Sequence, residues 1–314
     1  MGEYSKRVGE VGEKIVADFL KLFGWKNMCS NNELDCIIGD HGCATHGIDA
    51  LFSYKSLLQQ QTLTSVVVSA KYSGNAYEKV PSTFKSHFND IAKTVECYSR
   101  SDIKRNLVTR FKGTSKKEDI GVLFYLNNVE DPAKDNIKDK ILNSRISPDI
   151  TFNTIHLIDN ARASFLYSSL GFIRNKYQSE KPSFFCNVTT LNVDSNTRHT
   201  PIMPVEYITS PVIPMSVPYK DGKKFIILCD FDFSKDALTL VFRLAKKLCA
   251  DFSSHYEIYF NYYNTLEHSP LVDEVKMTAM FDSQDDGDDD YESTDLDVTL
   301  VVGTYNDNFR NDFS

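Results

Sequence analysis

The 314-residue sequence has no apolar run approaching the ~18–20 residues needed to cross a bilayer, and its start, MGEYSKRVGEVGEK, lacks the apolar core of a signal peptide. Both absences argue against a membrane span or a secretory leader, so the expectation is a soluble, cytoplasmic protein with no membrane partner. Lys6 stands where a myristoylation signal beginning at Gly2 wants Ser or Thr, so no lipid is expected either. The seven cysteines (29, 36, 43, 97, 186, 229 and 249) contain no CxxC pair; odd in number and scattered, they read as free thiols in a reducing compartment. Cys29, Cys36, His41, Cys43 and His46 do crowd into one stretch, but their spacing matches no usual zinc framework, and ordinary thiols and loop histidines are the simpler reading.

Charge of one sign is missing from two places. Residues 282–297, DSQDDGDDDYESTDLD, hold nine acids and no Lys or Arg; setting these nine aside from a formal charge of −8 leaves the rest of the chain at +1. The stretch misses the calcium-loop pattern at Gln284 and Ser293 and reads as a solvated loop. Residues 100–117, RSDIKRNLVTRFKGTSKK, hold seven Lys and Arg against one Asp, a local density that a phosphate backbone would feel. Lys104, Arg105, Arg110 and Lys112 are therefore candidate nucleic-acid contacts, the alternative being a solvated helix and loop.

The chain is long enough for two domains, and 41% apolar residues suffice for cores in both. Apolar spacing predicts a first helix with Val8, Ile15, Phe19 and Leu22 on one face, ending at Gly24. Gly12 falls within that face, where the lack of a side chain permits close approach to a sheet; Glu13 lies at its edge and Glu10 points roughly opposite. A polar loop follows, then strands over 47–54 and 64–72, a helix over 83–99, strands over 119–127 and 154–159, and another helix. This order predicts an α/β domain with a mixed sheet flanked by helices over 1–180. Prolines at 182, 201, 204, 211, 214 and 218 mark an extended passage, beyond which 181–314 reads as an α+β module. In it, FIILCDFDF is a strand, Ser234 caps a helix, and HYEIYFNYY, VDEVKMTAMF and LDVTLVVGTY are three more strands.

One more absence bears on chemistry. Asp49 on one strand and Lys71 at the end of the next, after Val66, Val67 and Val68, form the pair that metal-assisted phosphodiester hydrolysis asks for. Carboxylates at strand ends hold Mg²⁺ or Mn²⁺, and a lysine stabilises developing charge. Yet two positions before Lys71, where such a strand normally carries an acid, stands Ser69. Glu78, Asp90 and Glu96 follow within 25 residues of Lys71, Asp90 and Glu96 on the polar side of the expected helix.

With GEVGEK, HGIDALF, VVVSAK and IHLID in this order, residues 5–175 resemble the PD-(D/E)XK nuclease superfamily, the restriction-endonuclease-like fold. The resemblance implies catalytic roles for Glu13, Asp49, Ser69 and Lys71. Asp49 would be the central metal ligand, Glu13 an outer ligand and Lys71 the catalytic cation. It also implies that the carboxylate missing at Ser69 is supplied from the next helix, by Glu78, Asp90 or Glu96. A compact nuclease with an unfamiliar appended module is similar to effectors of bacterial anti-phage defence systems. This implies DNA as substrate and a second protein in a heteromeric complex, with self-association also open. Two other readings stand beside it. One is a degenerate nuclease fold that only binds nucleic acid or protein; the other is a dehalogenase-type phosphatase entry at Asp230 and Asp232, for which alternating acids at a strand's exit are the simpler explanation.

Overall fold

The structure is a computed structural model describing residues 2–26, 29–187, 198–220, 222–249, 253–282 and 298–306. The chain divides into two compact units, Met1–Tyr167 with Met203–Thr209, and Ser168–Ile202 with Ser210–Ser314.

The first unit is built on a mixed five-stranded sheet. Its strands are β1 (Cys29–Asp35), β2 (Thr45–Lys55), β3 (Thr62–Ser73), β4 (Lys116–Asn127) and β5 (Thr154–Ile158), in that spatial order. β1 pairs antiparallel with β2 and β2 antiparallel with β3, whereas β3, β4 and β5 are parallel to one another. Helix α1 (Gly2–Leu22) packs on β3, and α2 (Val80–Ser99) packs on β2, β3 and β4. Covered in this way, β3 needs apolar residues of both parities, and Val66, Val67 and Val68 are all buried. α1 ends where Gly24 takes a left-handed φ of 74°. Its approach to the sheet passes through Gly12, where a Cβ would lie only 2.5 Å from Tyr72 Cβ.

The polar loop expected after α1 contains β1. Its sequence CSNNELD is polar because it forms the sheet's edge; Leu34 is its buried anchor. Within the basic stretch, α3 (Asp102–Val108) is capped by Ser101, whose side chain accepts from Lys104 N. Trp25 is fully buried, stacked on Phe52 at 5.4 Å, and its Nε1 donates to Met203 O. The returning segment Met203–Thr209 thus closes over the unit: Val205 N donates to the Tyr54 hydroxyl, and buried Arg162 donates to the carbonyls of Ile208 and Tyr207.

The second unit holds a six-stranded sheet in the order β11-β10-β9-β8-β6-β7. These strands are β6 (Ser183–Phe185), β7 (His199–Thr200), β8 (Val212–Tyr219), β9 (Gly222–Cys229), β10 (His255–Phe260) and β11 (Thr299–Thr304). β9, β10 and β11 are parallel. Between them come α6 (Lys235–Cys249), capped by Ser234 Oγ accepting from Ala237 N, and α7 (Thr265–Asp282). α7 corrects the strand expected over VDEVKMTAMF. The buried residues there are Val272 and Val275, three apart as on a helix face, and Asn264 caps the helix by accepting from Leu266 N. In the proline-rich passage, of which 188–197 lies outside the described residues, the described part is strand or irregular apart from a short 3₁₀ turn at Val205–Ile208. Of the acidic stretch, 283–297 lies outside the described residues. Asp232 accepts from Asn261 Nδ2 at 2.8 Å, in keeping with a strand-exit hydrogen-bonding role.

Candidate active site

α1, β1, β2 and β3 enclose a cavity of about 380 Å³. Its lining includes three carboxylates, those of Glu10, Glu13 and Asp49, with Lys14, Ser30 and Ala70. Asp49 lies on β2 opposite the end of β3, and its Oδ2 accepts the Ala70 N–H at 2.6 Å. A backbone donor at this distance fixes the carboxylate's orientation and places it against the peptide that precedes Lys71. Glu13 enters the cavity as expected of a residue at the edge of the buried face. Glu10, expected to point away, borders the cavity at its solvent-facing rim, its side chain 66% exposed and 4.0 Å from Lys6 Nζ. Residues three apart are neighbours on a helix surface, and the close approach at Gly12 brings that whole flank of α1 toward the sheet.

Strand alternation separates the residues that follow. Ala70 faces the α1 side, so Ser69 and Lys71 project toward the other face. Ser69 is buried. Lys71 Nζ donates to Asp90 Oδ2 on α2 at 2.9 Å. Asp90, more than half exposed, is thus the one of the three candidate substitute carboxylates with a described contact to a candidate catalytic residue. Glu78 is exposed in the turn before α2. Glu96 is not on the polar side of α2: it is buried, 3.3 Å from His41 Nε2, and accepts the Thr151 N–H. His46, read as a loop residue, is buried on β2. His87, beside Lys71, has its pKa lowered by burial and then by the lysine's charge, against the pull of Asp90.

The basic stretch is less available to phosphate than its count suggests. Lys104, only 16% exposed, pairs with Asp119, whose carboxyl is pushed up by burial against the pull of that lysine. Arg105 pairs with Asp102 one turn earlier on the same helix. Arg110 and Lys112 are exposed.

Residues 1–162, just over half of the chain, match the family described as the GAPS4 protein PD-(D/E)XK nuclease domain. The chain belongs to this family. Its members' namesake is an anti-phage defence protein, and the mixed sheets flanked by helices are consistent with the PD-(D/E)XK nuclease fold. No curated protein and no solved structure matches the chain. The match spans every element that contributes to the carboxylate cavity, so the GAPS4-type nuclease domain and the Asp49 site coincide in sequence. Among the described residues no helix is long and apolar enough to cross a membrane.

Proposed function

We propose that the chain is a metal-dependent endonuclease that hydrolyses phosphodiester bonds in DNA, as an effector of a bacterial anti-phage defence system working beside a second protein. The observation that carries this reading is Asp49 on β2, whose carboxylate is held by the Ala70 N–H, the peptide before Lys71 on β3, and lines a cavity with Glu10 and Glu13. This all-oxygen donor set suits a hard divalent cation, Mg²⁺ or Mn²⁺. When bound, such an ion lowers the pKa of water and screens phosphoryl charge.

The chain's own residues then divide the work. Asp49 and Glu13 would hold the cation, and Glu10 is a third carboxylate lining the cavity. Lys71, paired with Asp90 on the α2 side of β3, is the cation that would neutralise a phosphoryl oxygen reaching the end of that strand. Asp90, beside Lys71 on the α2 side, is the substitute we propose for the acid missing at Ser69. Arg110 and Lys112 are the candidate contacts that are exposed to a nucleic-acid backbone, with Lys104 and Arg105 released only if their own pairs open. In this reading 1–180 is the nuclease domain and 181–314 the partner-binding or regulatory module.

The test is cleavage of supercoiled plasmid, single-stranded DNA and RNA by the full chain, with Mg²⁺, Mn²⁺ or EDTA, beside Asp49→Ala and Lys71→Ala. Metal-dependent cutting of DNA lost by at least ~100-fold in both variants is expected, the scale of one lost transition-state contact. Undiminished cutting by Asp49→Ala would remove the site assignment, and preference for RNA would correct the substrate.

A further inference from the structure

A second set of metal-ligating side chains lies at the start of β2. Cys36, His41, His46 and Cys97 each direct one ligand atom to a common centre, all four atoms lying within 4.8 Å of one another. His41 Nδ1 is 3.6 Å from Cys36 Sγ, 3.4 Å from Cys97 Sγ and 3.3 Å from His46 Nε2, and the two sulfurs are 3.8 Å apart.

These lengths are diagnostic. Tetrahedral zinc with Zn–S of about 2.3 Å and Zn–N of about 2.0–2.1 Å requires edges of about 3.8 Å between sulfurs, about 3.5 Å from sulfur to nitrogen and about 3.3 Å between nitrogens. Four of the six edges agree with these values to about 0.1 Å, and the two from His46 Nε2 to the sulfurs lie within the 4.8 Å that bounds the set. A disulfide is a poor rival, since its sulfurs must approach to about 2.05 Å.

The surroundings supply an independent argument. His41 Nε2 faces Glu96 Oε2 at 3.3 Å, and the same oxygen accepts the Thr151 N–H at 3.2 Å. A proton held on Nε2 by a buried carboxylate leaves the Nδ1 lone pair directed at the centre, the arrangement by which proteins orient a metal-binding histidine. Lys93 Nζ donates to His41 O at 2.9 Å, which ties the loop to α2 as well. Buried Glu96 thus acquires a reason to be inside. Two thiolates and two imidazoles are soft and borderline donors that select zinc rather than magnesium.

We infer that Cys36, His41, His46 and Cys97 form a structural zinc site that staples the β1–β2 connection to α2. Four protein ligands close the coordination shell, so no position is left for water or substrate and the site is not catalytic. Its consequence for the nuclease unit is mechanical: His46 and Asp49 share β2, three residues or about 10 Å of strand apart. Fixing His46 fixes the strand that presents Asp49. Cys43, exposed, sits 3.7 Å from His46 Nε2 outside the set, and exposed Cys29 takes no part.

The experiment is metal analysis of the full chain purified without an affinity tag, with zinc in the growth medium. About one zinc per chain is expected, as for other closed thiolate–imidazole sites. Cys43→Ser and Cys29→Ser should keep it, and Cys36→Ser and Cys97→Ser should lose it. Because the last two variants can fail to fold, alkylation of the unmodified chain supplies a second readout. Zinc should slow labelling of Cys36 and Cys97 at least ~10-fold and leave Cys29 unchanged. Cobalt replacing zinc should show the visible absorption of a tetrahedral dithiolate centre. A folded chain without zinc whose Cys36 and Cys97 label equally fast with and without added metal overturns the site, as does zinc retained in both Cys36→Ser and Cys97→Ser. None of these readouts involves cleavage, so they stand apart from the nuclease assignment.

Discussion

At Gly12 the fold leaves no room for even one methyl group. An added Cβ would come within 2.5 Å of Tyr72 Cβ, an atom too near the backbone to swing aside. Gly12→Ala is therefore expected to cost about 1–3 kcal/mol, the usual penalty for overpacking, read as a lower Tm in thermal denaturation. A Tm equal to that of the unmodified chain would mean that α1 does not approach β3 so closely. At Glu257 the balance is electrostatic. Burial disfavours the charge but is outweighed by the hydroxyls of Tyr177 and Tyr259 and the ammonium groups of Lys176 and Lys224, which hold the carboxyl at about 2 against an ordinary 4.5. A depressed carboxyl stabilises the fold fully above its unfolded pKa, and the contribution disappears as pH falls from about 4.5 toward about 2. Acid titration followed by circular dichroism should show a shallower loss across that window in Glu257→Gln, which also starts from lower stability at neutral pH because Lys176 and Lys224 lose their counter-charge.

Among the elements, those whose own sequence carries the signal were legible. Val66–Val68 declared a strand covered on both faces, Gly24 the end of α1, and Ser234 the start of α6. Ser234→Ala should cost about 1 kcal/mol, measured by urea denaturation, since Ala237 N loses its acceptor. A change near zero would assign the cap to backbone geometry alone. Elements defined by context were not legible. β1 is polar because it is an edge, and only its pairing with β2 makes it a strand. α7 carries β-branched residues whose helical spacing is outvoted locally and decided by packing on the second core. The candidate site divides along the same line. Asp49 and Lys71 are proposed from strand order and Glu13 from its place on the α1 face, whereas Glu10's position at the cavity depends on how deeply α1 sits. Cys97 joins Cys36, His41 and His46 only because α2 folds back over β2, a pairing at a sequence separation of about 60 that no local spacing rule covers.

For the whole molecule, the division at Tyr167 and the return of Met203–Thr209 to the first unit mean that a nuclease domain cut at residue 180 is incomplete. Such a fragment lacks Met203 O for the Trp25 indole, Val205 N for the Tyr54 hydroxyl, and the Ile208 and Tyr207 carbonyls that receive Arg162. Buried groups deprived of partners cost about 1–3 kcal/mol each, and more for a charged one. Residues 1–180 alone are therefore expected to be poorly soluble or to melt well below the same fragment extended to residue 209 and beyond. Equal melting temperatures for the two would show that the returning segment is dispensable.

That returning segment also sets an order of events at the ribosome. When residue 167 has been joined, every strand of the first sheet exists, but the chain that covers Trp25 and Arg162 does not. Translation at about 5–20 residues per second puts its emergence a few seconds later. During that interval the nuclease half of the protein is made but not yet finished, and its completion is timed by the synthesis of the half that follows.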